Sequence, residues 1–155
     1  MKKIILNILI ILFFSDCIST HNYNSEKKYI QKIKFINSQE SKKNNYPFSE
    51  ATIVNNIIYL SGQIGTLKNG KLIEGGVKEE TRQTMLNIKS VLEKNGSSIE
   101  KIFKCTCMLA DIKDWPEMSN EYRKFFKNNL PSRSAFAGSG LALNARVEIE
   151  CWATK

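Results

Sequence analysis

Histidine is almost missing from this chain of 155 residues: His21 is the only one. A Ser/His or Cys/His nucleophile pair therefore has no base to draw on downstream of that point. Cysteine is sparse as well. Cys17, Cys105, Cys107 and Cys151 contain no C-x-x-C spacing and join no Cys/His cluster, so a zinc site is not indicated. Cys105 and Cys107 are two apart on an apparent strand and point the same way. With Cys151 they are expected to pack as ordinary small hydrophobes in a core or interface.

A dense basic patch is also lacking. The net charge is +8, but residues 1–46 hold eight lysines against three acids, leaving +3 for residues 47–155. A nucleic-acid surface would cluster its basic residues on the folded unit, and this sequence does not. One long, largely apolar run is present, Ile4 to Phe14, behind Lys2 and Lys3. It is short for a membrane span and suits a signal peptide covering residues 1–20, with small residues near Cys17-Ile18-Ser19. Export to a periplasm or to the exterior is the expectation. Lipid anchoring at Cys17, an uncleaved anchor, and an organelle transit segment are the alternatives.

Residues 21–46 are rich in Lys, Asn and Ser. Within them Tyr29 to Ile36 alternates and predicts an edge strand, with lysines that discourage edge pairing. Ser38 to Asn45 reads as a polar loop. Residues 47–155 are long enough for one domain with a sizeable core. Ala51–Val54 and Ile57–Ser61 flank Asn55-Asn56, a hairpin signal, because Asn tolerates positive φ. Further turns fall at Asn69-Gly70 and Gly75-Gly76. Glu79 to Asn95 predicts a helix: Met85, Ile88, Val91 and Leu92 form one stripe, and Gly96 suits the C′ position. Ser97 and Glu100 suggest a capping box for a short turn. Ile102 to Leu109 predicts a buried strand.

A second helix should begin with Asp114 as N-cap, Pro116 in the first turn and Glu117 at N3. Its expected apolar face is Trp115, Met118, Tyr122, Phe125 and Phe126, and Leu130-Pro131 should end it. The last strand alternates strictly. Val147, Ile149, Cys151 and Ala153 share one face; Arg146, Glu148, Glu150 and Trp152 share the other. The expected fold class is α+β, a mixed β-sheet with two helices on one face. An indole beside two carboxylates on the second face suggests that something covers it, although a plain solvated face would read the same.

Arg133, just after the Pro131-Ser132 turn, and Glu148 on the last strand could face one another. A guanidinium fork suits a carboxylate ligand, and a glutamate can hold and polarise a water. The bland alternative is that the two pair with each other as a buried ion pair.

Three segments carry a resemblance. Pro131-Ser132-Arg133-Ser134-Ala135 followed by Ala145-Arg146-Val147-Glu148-Ile149-Glu150, the stretch Asn55 to Ile64 with its Ser61-Gly62-Gln63, and Thr81 to Leu92 resemble, in order and spacing, the RidA/YjgF/YER057c family of imine deaminases. The resemblance spans residues 47–155. It implies a RidA/chorismate mutase-like domain and a homotrimer with active sites between neighbouring subunits. It also implies hydrolysis of reactive 2-imino and 2-enamino acids, such as 2-iminopropanoate and 2-aminoacrylate, to 2-keto acids and ammonia. Arg133 would bind the substrate carboxylate and Glu148 would orient the attacking water and relay a proton. Ser61, Gly62, Phe48 and Ala135 would line the cleft, with no metal or cofactor. Phe48 stands where many relatives have tyrosine and Ala135 where many have cysteine. Endoribonuclease or translation-inhibitor activity, and a non-catalytic module binding small carboxylates, are the rival readings.

Overall fold

The computed structural model describes residues 32–155. The leader reading, the Cys17 alternatives and the first residues of the Tyr29–Ile36 strand lie outside the described residues. Seven strands and three α-helices follow in order: β1 (Ile33–Ile36), α1 (Gln39–Lys43), β2 (Ala51–Val54), β3 (Ile57–Leu60), β4 (Gln63–Ile64), α2 (Val77–Lys94), β5 (Ile102–Leu109), α3 (Trp115–Arg123), β6 (Ser132–Ala137) and β7 (Val147–Thr154). The strands form one sheet in the order β1-β2-β3-β7-β5-β6, with β4 beside β7. Only β5 and β6 run parallel; the other pairs are antiparallel. The α+β expectation holds. Because β1 is paired with β2, the sheet begins before Pro47.

Alternation decides which face is buried. Cys105, Cys107 and Leu109 of β5 and Val147, Ile149, Cys151 and Ala153 of β7 are wholly buried under the helices. Met85, Ile88 and Leu92 of α2 meet them as the expected stripe, and Val91 packs at its margin. Asn55 carries the positive φ of the hairpin, and Gly96 the positive φ after α2.

Four local expectations give way. The segment taken for a polar loop contains α1, whose start is capped by Ser38: its Oγ accepts from the Ser41 amide at 3.0 Å. Ser97 caps nothing; its hydroxyl donates across the molecule to the Thr154 carbonyl at 2.5 Å. Asp114 precedes α3 without capping it, because its carboxylate is taken by Arg146. Helix α3 ends at Arg123, well before Leu130-Pro131, and Phe125 and Phe126 pack from the turn beyond it.

The cysteine expectation also changes. Cys105 and Cys151 face each other across β5 and β7 with Cα atoms 4.2 Å apart, and they form a disulfide; only Cys107 is free among the described residues. A directly opposed antiparallel pair without mutual backbone hydrogen bonds brings Cα atoms to roughly 4.5 Å, within disulfide reach. The pairing depends on register between strands distant in sequence, which alternation alone does not reveal.

Candidate functional site

Strand β6 is a sheet edge, and its residues pair in register with β5: Arg133 with Cys105, Ala135 with Cys107. Both therefore lie on the helix side. The Arg133 guanidinium sits 5.5 Å from the Trp115 ring centre and 5.0 Å from that of Tyr122. One Nη donates to Ser119 Oγ at 3.0 Å, and the other lies 3.8 Å from the Met118 sulfur. Flanking rings fix the plane of the fork and contribute about 1 kcal/mol or so each by cation–π attraction. No carboxylate among the described residues pairs with Arg133, which is held in orientation by these contacts and is partly open. Sequence periodicity assigned Trp115 and Tyr122 to the core. Tyr122 is buried, but Trp115 is 43% exposed and stands beside the arginine.

Glu148 belongs to the other face. It is opposite Met108 on β5 and Ile64 on β4, on the side of Glu150 and Trp152. The expected approach of Arg133 and Glu148 is not made within one chain: β5 lies between their strands, and the side chains leave opposite faces of the sheet. The ion-pair alternative fails for the same reason.

Around Glu148 the backbone comes very close. A methyl on Gly62 would sit 1.8 Å from Glu148 Oε1, so only glycine lets the carboxylate rest there. Burial, and then the neighbouring Glu150, push the Glu148 carboxyl above the usual carboxylate range. Ser61 adjoins Gly62, and its hydroxyl donates to the Ser49 carbonyl at 2.7 Å, holding the 47–50 segment against the end of β3. Phe48 is half exposed, stacked on Tyr46 at 5.5 Å, and lines an open cleft of about 430 Å³ with Asn37 and Lys42. The predicted site residues thus divide into two groups. Ser61, Gly62 and Glu148 come together with Phe48 nearby, and Arg133 and Ala135 lie apart from them.

The open face beyond Glu148 carries Trp152, which meets Tyr59 at 5.0 Å and Phe103 at 6.4 Å between ring centres. Arg146, expected on that face, turns away at the mouth of β7. Its guanidinium makes two bonds to Asp114, at 2.9 and 2.7 Å, and its amide donates to buried Glu80 at 2.7 Å.

Residues 39–155 match the family described as endoribonuclease L-PSP. A human 2-iminobutanoate/2-iminopropanoate deaminase is 39% identical over 105 residues, 67% of this chain and 77% of that protein. The protein HMF1 of Saccharomyces cerevisiae is 39% identical over 108 residues, 70% of this chain and 84% of its own. A solved structure of the Rid-family protein YyfA from Yersinia pestis superposes with a TM-score of 0.74 at 32% identity, covering 80% of this chain and all of that one.

The chain belongs to the RidA/YjgF/YER057c family. For this Rid chain, sequence reasoning had missed the ring pair around Arg133, the Glu80 anchor at the entry to β7, and Asn87. The Asn87 amide donates to the Ile64 and Thr66 carbonyls at 3.0 and 2.9 Å and ties the segment after Gly62 to α2. A polar residue on a helix otherwise read for its apolar stripe was the only available signal. Among the described residues there is no group of three metal-ligating side chains, and no helix is long and apolar enough to cross a membrane.

Proposed function

We propose that this Rid protein hydrolyses small 2-imino acids and their 2-enamino tautomers in clefts formed between subunits of a homotrimer. The observation that carries the reading is a pair of opposite charges left unmatched on opposite faces: a ring-clamped arginine on an edge strand and a desolvated glutamate against Gly62. One chain cannot join them; the edge of one copy laid against the open face of the next can. The deaminase names of relatives near 39% identity support the same chemistry.

In the proposed reaction Arg133 grips the substrate carboxylate through its fork. Glu148 takes a proton from a water whose oxygen attacks the C=N carbon, giving a carbinolamine. Glu148 returns that proton to the imine nitrogen as the carbinolamine forms, then carries the hydroxyl proton to the amino nitrogen, so the C–N bond breaks and ammonia leaves as the new C=O forms. A raised carboxyl suits a group that must both accept and return a proton near neutrality. Imines already hydrolyse in water, so a positioned base supplying about 10²–10⁴-fold is sufficient. Ser61 and the Gly62 backbone shape the wall beside the water. Phe48, lacking a hydroxyl, contributes only an apolar surface.

Freshly generated 2-iminopropanoate tests the reading through ammonia release. Glu148→Gln should lower turnover about 100-fold or more with little change in affinity for a small carboxylate, whereas Arg133→Ala should weaken that affinity. Unchanged imine decay in both variants would refute the assignment. If Arg133→Ala abolishes carboxylate binding and Glu148→Gln alters nothing, the chain is a non-catalytic binding module. Loss of RNA cleavage in Arg133→Ala, with no deamination by the wild type, would instead favour the ribonuclease rival.

A further inference from the structure

The core disulfide does not fit a chain built for a reducing compartment. Cys105 and Cys151 are wholly buried and join the two central strands 46 residues apart in sequence. The remaining cysteine of the folded unit, Cys107, is also wholly buried. Burial raises its thiol to about 11, with Arg133 only partly offsetting this, so it offers almost no thiolate for exchange. The folded unit therefore presents one closed pair and one inert thiol, the inventory that persists where thiols are oxidised. Independently, Lys2-Lys3 followed by the run from Ile4 to Phe14 has the pattern of an export leader. Cys17, the one remaining cysteine, lies inside that leader and would be lost with it.

We infer that the Cys105–Cys151 bond is a permanent link made on export, and that this Rid chain works in an oxidising compartment rather than in the cytosol. The two thiols would be oxidised by thiol–disulfide exchange with a disulfide-bearing oxidoreductase. Each cysteine contributes one electron and one proton, the donor disulfide is reduced to two thiols, and one S–S bond forms as another breaks. Exchange must precede closure of the core, because the folded domain buries both sulfurs. The link then holds β7, which carries Glu148, to β5, which flanks Arg133.

The full chain should be produced in a bacterial host with an oxidising periplasm, fractionated, and trapped with iodoacetamide without reductant. The inference expects the mature chain in the periplasmic fraction, with peptides containing Cys105 and Cys151 recovered as one linked species. Cys107 should be alkylated only after denaturation. Excess dithiothreitol should lower the melting temperature by on the order of 10 °C. The Cys105→Ala/Cys151→Ala variant should melt identically with and without reductant; if it fails to fold, the wild-type trapping still decides. A chain retained in the cytosol, or a folded exported chain with both thiols free, overturns the inference. No readout here measures deamination, so its failure and that of the proposed function are distinguishable.

Discussion

At the scale of single residues, the contact between Gly62 and Glu148 is the most exacting. A β-carbon at position 62 meets first the end of a side chain rather than backbone, so the fold can accommodate it by moving the carboxylate. Gly62→Ala should accordingly leave the denaturant midpoint nearly unchanged, with a cost of about 1 kcal/mol or less, yet lower kcat by about 10-fold or more. A stability loss matching the activity loss would show that the glycine serves the backbone instead. Glu148 itself should be a stability cost when charged. Its folded carboxyl is a weaker acid than in the unfolded chain, because burial and Glu150 both oppose ionisation. As pH rises, the unfolded chain therefore ionises first. Stability falls from the ordinary glutamate value near about 4.3 up to the raised folded value and is flat above it. Glu148→Gln should raise the melting temperature at pH 7 by an amount worth under about 1 kcal/mol, since the group is only half-buried. Near pH 3 the two melts should coincide. A destabilised Glu148→Gln at pH 7 would mean that the carboxylate has a cation the chain does not show.

At the scale of elements, legibility followed the range of the interaction. The faces of β7, the stripe of α2 and the β2–β3 hairpin are set by neighbours within a few residues, and all were readable. The disulfide, the Arg146–Asp114 pair and the turning of Ser97 toward Thr154 join residues 32 to 57 positions apart. Each removes a side chain from the local role its motif suggested. The separation of Arg133 from Glu148 belongs here too. Each strand's alternation was plain, but β5 enters between β6 and β7 from earlier in the chain, and only its register fixes which faces correspond. Asn87 shows how an element carries the site. It trades the good helix propensity of an alanine, worth about 0.5 kcal/mol, for two bonds that hold the segment after Gly62. Two bonds to partly buried carbonyls outweigh that, so Asn87→Ala should lose about 1–2 kcal/mol in a urea melt. It should also lower kcat, because the wall beside Glu148 is no longer held. Unchanged activity would separate that segment from the reaction.

At the scale of the whole molecule, the sheet order places the arginine on an edge and the glutamate two strands inward on the reverse side. In the proposed homotrimer, a closed ring with each edge meeting the next open face would build three equivalent sites from these halves. The Tyr59, Phe103 and Trp152 cluster then lies on a covered surface rather than in water. The arrangement has a consequence that no site within one chain could reproduce. Arg133→Ala and Glu148→Gln protomers should each be impaired alone, the one in substrate affinity and the other in turnover, but a mixed ring should contain some clefts with an intact arginine from one variant and an intact glutamate from the other. With random mixing at equal amounts, each cleft requires a particular variant on both sides, so about a quarter of the clefts are restored. Co-refolding the two variants should therefore recover about a quarter of the wild-type deamination rate, while each variant refolded alone stays near background. Recovery should depend on the mixing ratio and peak at equal amounts. No recovery in mixtures whose native mass confirms trimers containing both variants would end the shared-cleft reading.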